Sequence, residues 1–275
     1  MRSLWTAASG MRAQQTNVDT IANNLANVNT TGYKTQEASF KALLYQNLQS
    51  TSTNNAGENK PVPAEVGLGS RTAAITGQFT QGSLLASDNA FSMAIEGDGF
   101  FSVRNVDGEI YYTRDGNFNV SPFAGGNLIC TAEGYPILDQ YGQNIIIPAD
   151  YVATDLAVDK NGTIGFPGED GNVRPLYNNN GQAIAFGLYQ FNNPAGLHKV
   201  GNNNYQVTTA SGDPVAEFGN GNLKQSKVLQ YYTEGSNVDV ANEMVNLIVA
   251  QRAYEMNSKA IQATDEMMQQ ANNLR

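Results

Sequence analysis

"IANNLANVNTTGYK", residues 21–34, reads as the end of a helix with an unusual surface. Its apolar residues recur at helical spacing, yet Asn fills much of the rest, although the Asn amide competes for backbone groups and forms helices only moderately well. Worked outward from this stretch, Leu4, Ala7, Met11, Gln14, Val18, Ile21, Leu25 and Val28 alternate by three and four, a heptad seam of about four heptads with one polar position. Asn29-Thr30-Thr31-Gly32 supplies the stop, with Gly32 suited to a left-handed C-terminal residue. The only charges before Lys34 are Arg2, Arg12 and Asp19, where a helix facing water would carry many. On a wheel at about 100° per residue, Asn17 and Asn24 flank the seam and Asn23 and Asn27 lie on the far side. Amides donate and accept without the desolvation cost of ions, so this surface is matched to neighbouring protein.

The other end of the chain is helical again. Val240, Met244, Leu247, Gln251, Tyr254, Ser258, Ile261, Asp265 and Met268 make a second seam. Ser236 and Asp239 have the spacing of a capping box, with Asp in place of Glu. Between the helices, residues 50–70, "STSTNNAGENKPVPAEVGLGS", form a composition break of small polar residues, Gly and Pro. From residue 78 to 232 short runs such as "FFSV", "IYYT" and "NYQVT" alternate with turn signals. Asp107-Gly108, Asp115-Gly116, Asn161-Gly162 and Asp170-Gly171 suit tight hairpins, whose central positions need positive φ. The expected fold is therefore α+β: paired N- and C-terminal helices forming a coiled-coil-like layer, and a central, mainly antiparallel all-β domain. The expected boundaries are 1–45 with 233–275 for the helical domain, 46–77 for an extended connector and 78–232 for the β domain. An ordinary intramolecular helix pair would also satisfy the two seams.

Charge and chemistry narrow the function. The 275-residue chain has a formal net charge of -9 and 15% charged residues, well below the roughly 25% of typical domains. No Lys/Arg cluster offers a face for nucleic acid or anionic membrane. Neither a secretory signal nor a run long enough to span a membrane is legible at the N-terminus or beyond. Cys130 is the only cysteine and lies in a strand-like run, so it reads as a small core residue. His198, the only histidine, has no partner legible in sequence and reads as a loop or strand residue. Phosphate-loop spacing is missing, and the ligand series of a calcium loop at Asp159 stops after Asn161. No catalytic residue, metal or cofactor is expected. A secreted β module that binds glycans or cell wall is the competing class, because aromatic residues crowd the β region.

Four ordered motifs carry a family resemblance. "ANNLANVNTTGYK" (22–34), "IEGDGFF" from residue 95, "YYTRDGNF" from residue 111 and the segment 236–272 resemble the signatures of bacterial flagellar rod and hook proteins. Length, "MRSLWTAASGM" and "LLYQ" favour the distal-rod branch, with a close rod/hook paralogue as the alternative. The resemblance implies a structural subunit, exported unfolded through a type III channel without a cleaved signal. Such subunits polymerise helically into a hollow shaft in the extracytoplasmic basal body. There the shaft transmits torque and passes export substrates. Terminal helices line the tube and the β domain forms the outer layer, with residues 50–70 as a brace. Implied partners are further copies of the chain, proximal rod proteins and hook-side axial proteins, with surrounding ring proteins as further candidates and no membrane insertion. The residues expected at the assembly interface are Leu4, Met11, Val18, Ile21, Asn23, Asn24, Leu25, Asn27, Val28, Met244, Leu247, Tyr254, Ile261 and Met268.

Overall fold

The computed structural model describes residues 2–49, 64–123, 125–167, 173–178, 181–219, 221 and 223–273. Two long helices, α1 (Arg2–Ala26) and α2 (Val240–Asn273), bracket a middle of short, mostly antiparallel strands, an α+β fold. The chain divides into two compact units: Met1–Ala26, Gln36–Thr76 and Asp239–Arg275 form the first, and Asn27–Thr35 with Gly77–Val238 the second.

In the first unit, α1 stops at Ala26. The chain then turns through Thr30, whose N–H donates to the Asn27 carbonyl at 3.2 Å, and Gly32 takes the left-handed conformation at φ +67°. The cap of α2 differs from expectation. Asp239 itself is the cap, its Oδ1 accepting from Ala241 N at 3.0 Å and Asn242 N at 3.4 Å. Ser236 lies too far upstream to cap a helix that begins at Val240, and its Oγ accepts from Val238 N instead. The described part of the expected connector is paired strand: Tyr45–Gln49 with Ala64–Gly67, antiparallel, and Gln36–Ala42 with Ser70–Gly77. The bracing role attached to residues 50–70 falls largely on 50–63, outside the described residues.

The second unit is built on a six-stranded antiparallel sheet. Its order is His198–Gly201, Asn204–Gln206, Ile110–Thr113, Phe100–Arg104, Leu188–Gln190 and Val215–Ala216. Successive side chains alternate faces, so Phe101 and Val103 join a large core with Phe118, Ile129, Ile137, Ile147 and Phe186. Phe100 points the other way and packs with Tyr112, Phe191, Leu197 and Tyr205. Both faces are thus covered, and each large side chain buried contributes about 1.5–3 kcal/mol. Cys130 is buried in this unit, while His198 stands exposed on the edge strand. Gly108 (φ +85°) and Gly162 (φ +77°) turn hairpins as expected. Gly116 does not: a Cβ there would fall 1.5 Å from the Met93 carbonyl oxygen, so its glycine permits a backbone crossing rather than a turn. Asp170-Gly171 lies outside the described residues.

Residues 27–35 and the strand Tyr232–Glu234 meet at the base of this unit around one buried carboxylate. Glu234 is 1% exposed. Its Oε1 accepts from Lys34 Nζ at 2.6 Å and Gly82 N at 2.9 Å, and its Oε2 from Arg114 at 3.3 Å. Its backbone carbonyl takes the Gly32 N–H at 2.8 Å. Lys34 also donates to the Thr80 carbonyl at 2.8 Å. Arg114 donates to the Gly97 carbonyl at 2.7 Å and lies 5.0 Å from the centre of the Phe100 ring. Burial pushes the Lys34 ammonium below its ordinary range; the Glu234 charge pulls it back, and Arg114 adds to the lowering. Thr35 closes the seam, its N–H and hydroxyl both donating to Asn237 Oδ1 at 2.7 Å.

Removing the carboxylate leaves two buried cations without their counter-charge, which costs about 3–5 kcal/mol. Glu234→Ala is therefore expected to lower the melting temperature of the second unit by about 10 °C, at roughly 2–4 °C per kcal/mol for a unit of this size. The exposed Glu133→Ala serves as control, within about 0.5 kcal/mol of the parent. Circular dichroism melts decide it, and an unchanged melt for Glu234→Ala would show that the cluster holds nothing together.

Candidate assembly interface

The helices of the first unit run antiparallel. Gly10 lies against Asn257 and Asn24 against Glu243, so fourteen residues up α1 correspond to fourteen residues down α2. The surfaces that meet are small and polar. Ala7, Ala13, Thr20, Ile21 and Asn24 are the buried residues of α1, and Ala250 is buried on α2. A Cβ on Gly10 would lie 2.9 Å from Asn257 Nδ2, so close approach depends on that glycine. The buried set includes Ala7 and Ile21 of the expected seam, but otherwise sits about one residue around each helix from it.

The residues expected at the interface therefore divide. Ile21 and Asn24 are buried within the chain. Leu4, Met11, Val18, Leu25, Asn27 and Val28 are half-buried, and Asn23 is exposed. On α2, Leu247 and Ile261 are half-buried, while Met244, Tyr254 and Met268 are exposed. Val18 and Tyr254 share a groove of about 390 Å³ with Gln15, Gln251 and Glu255. Asn24, also expected to face a neighbouring molecule, is 1% exposed within the chain. Its amide instead pairs both backbone groups of Gln36, donating to the carbonyl at 2.8 Å and accepting from the N–H at 2.9 Å. One side chain thus reproduces a strand-like backbone pairing and tethers the ribbon Gln36–Ala42 to the helix.

The seam pattern missed a row of large apolar residues. Val245 is 59% exposed, Ile248 53%, Val249 62% and Met256 65%, and on α1 Trp5 is 75% exposed. Their signal was present in "EMVNLIVAQRAYEM", which carries more apolar residues than one stripe can hold. Such a concentration on one helix marks a contact surface. Among the described residues no group of three or more His, Cys, Asp or Glu could hold a metal ion, and no helix is long and apolar enough to cross a membrane.

A pair of helices drawn from opposite ends of the chain, small and polar within and apolar without, defines a structural subunit built to associate. Comparison with known families narrows that class. Residues 4–34 match the sequence model described as flagella basal body rod protein, 94–166 that of the flagellar hook protein FlgE/F/G D1 domain, and 229–274 that of the flagellar basal body rod FlgEFG protein C-terminal. The chain is 42% identical to the flagellar basal-body rod protein FlgG of Borreliella burgdorferi, over 100% of this chain and 99% of that protein. It is 42% identical to FlgG of Agrobacterium fabrum over 97% of each. Its identity to the flagellar hook-basal body complex protein FlhP of Bacillus subtilis is 32%, over 100% of each. The chain belongs to the FlgG family of flagellar basal-body rod proteins, which are structural proteins and not enzymes.

Two helical asparagines should respond differently to the same substitution. Asn24→Asp replaces the donor to the Gln36 carbonyl with an oxygen, at a cost of about 1–3 kcal/mol for the unsatisfied buried group. Exposed Asn246→Asp should stay within about 0.5 kcal/mol. Urea unfolding followed by circular dichroism is the readout. Lower stability in Asn24→Asp alone is expected, and equal stability in both variants would refute the pairing.

Proposed function

We propose that the chain is a subunit of the distal rod that polymerises helically into a hollow drive shaft. In this reading α1 and α2 pair as a coiled-coil-like layer that lines the tube, and the β unit forms its outer layer. The observation that carries the reading is the exposed apolar row Val245, Ile248, Val249 and Met256, which the intrachain pair leaves uncovered. In a helical polymer every subunit has neighbours on the same faces, so one such row is covered in each copy. On α1, Met11, Val18 and Leu25 are half-buried. Copies of the chain are the first partner, with proximal rod proteins below, hook-side axial proteins above and ring proteins around. The assembly stands in the extracytoplasmic zone of the flagellar basal body, reached by export without a cleaved signal. Stiff helix pairs braced by an outer β layer would transmit torque, and uncharged amides such as Asn23 would let unfolded cargo pass without sticking.

Charge placed on that row tests the reading without disturbing the fold, because the residues are exposed in the subunit. Ile248→Asp and Val249→Asp should each leave the melting curve of the subunit unchanged. Each should abolish polymerisation, since an unpaired charge in a packed interface costs several kcal/mol. Electron micrographs of basal bodies and swimming assays provide the measurement. Normal rods in both variants would place the assembly surface elsewhere.

A further inference from the structure

The second unit holds a cleft of about 470 Å³ that assembly does not explain. Amide and hydroxyl side chains, Gln140, Asn161, Thr163, Gln182, Gln225 and Ser226, line it together with apolar residues. Asn161, Gln182 and Gln225 stand exposed on its wall. Two aromatic rings share the lining, Tyr141 (42% exposed) and Phe218 (59% exposed), in an edge-to-face pair with centroids 6.0 Å apart. Among the described residues no lysine or arginine lines it. Its one carboxylate, Glu217, is 4% exposed and engaged by Gln190 Nε2 at 2.9 Å, Ser226 Oγ at 2.8 Å and Ser226 N at 2.7 Å.

The rings are set on fixed supports. Asp139 Oδ1 accepts from Tyr141 N at 2.9 Å and Gln143 N at 2.7 Å, which locks the turn that presents Tyr141. Glu217, held by Ser226 and Gln190, fixes the residue before Phe218. Gln140 Nε2 donates to the Ala183 carbonyl at 3.0 Å.

We propose that this cleft binds a neutral pyranoside oligosaccharide. The volume falls within the range of small-ligand sites. A pyranose ring presents an apolar C–H face, suited to Tyr141 and Phe218, and a rim of hydroxyls, each able to donate and accept. Amides answer both roles. Phosphorylated or carboxylated ligands are disfavoured, because no cation among the described residues lines the cleft to meet their charge. The inference is independent of the assembly reading, since none of its residues belongs to the helix pair.

The test uses the full-length chain with ring signals of Tyr141 and Phe218 followed by NMR. The probes are a β-1,4-linked N-acetylglucosamine tetramer, the corresponding glucose tetramer, and triethylene glycol as a non-sugar control. Saturable shifts with one or both sugars at a Kd on the order of 1 mM or tighter are expected, and none with the glycol. The tighter sugar tells whether acetamido groups are read. Phe218→Ala and Gln182→Ala, both at exposed positions, should each weaken binding by about tenfold or more. No saturable shift with either sugar, an equal response to the glycol, or unchanged affinity in both variants would overturn the proposal. So would variants that lose polymerisation while no sugar binds, which would identify the cleft as a contact between copies.

Discussion

The rest of this structure depends on one carboxylate held between two cations where water does not reach. Glu234 comes from the last strand before the C-terminal helix, Lys34 from the segment that follows the N-terminal helix, and Arg114 from just past the end of the inner strand Ile110–Thr113. A buried ion cluster is weak evidence for stability in itself, because desolvation offsets much of the attraction. Its value here is positional. The cluster admits one arrangement of three distant segments, and any other leaves a charge bare in the core. It also explains why Gly32 must be glycine: a Cβ there would lie 2.7 Å from Asp115 N, so the segment lies flush on the sheet. With Thr31 donating to Asp115 at 2.9 Å and Asn203 donating to the Thr31 carbonyl at 2.6 Å, the incoming strap is sewn down along its length.

Because the strap and the last strand share that base, the chain leaves the β unit beside the place where it came in, as the Thr35–Asn237 bonds show. Helices from opposite termini are then free to pair. Their pairing sets the small side chains inward, and the large ones are left over. Had Val245, Ile248 and Val249 faced α1, the subunit would have satisfied itself and offered neighbours little. Using alanine, glycine and amides inside reserves the apolar surface for other contacts.

Much of the architecture was legible in the sequence, for local reasons. Heptad spacing gave both helices, and Asp-Gly and Asn-Gly pairs at 107–108 and 161–162 gave hairpins, whereas α1 ends at Ala26, six residues before the stop expected at Gly32. What failed was whatever depends on distant residues. Gly116 resembles a turn glycine until Met93 is laid across it. Asp239 and Ser236 are both competent caps, and only the true helix start chooses between them. The seam was misplaced by about one residue because α2 is apolar on more than one side, so periodicity alone could not say which stripe its partner takes. Nor could the sequence show that Asn24 answers Gln36, or that Lys34 and Glu234, two hundred residues apart, are one ion pair. The cleft was invisible for the same reason: its rings come from residues 141 and 218.

That separation has a consequence in time. A chain delivered from one end cannot close the base of its β unit early, because one half of the lock lies near each terminus. Hairpins can form as their strands appear, since their contacts are local, whereas a junction spanning two hundred residues waits for nearly the whole chain. Until then Lys34 and Arg114 stay hydrated, and the unit lacks its last interlock. Synthesis or passage through a narrow conduit would therefore meet a chain that is reluctant to finish folding, whichever terminus leads. The same bond that fixes the final shape sets the moment at which that shape can first exist.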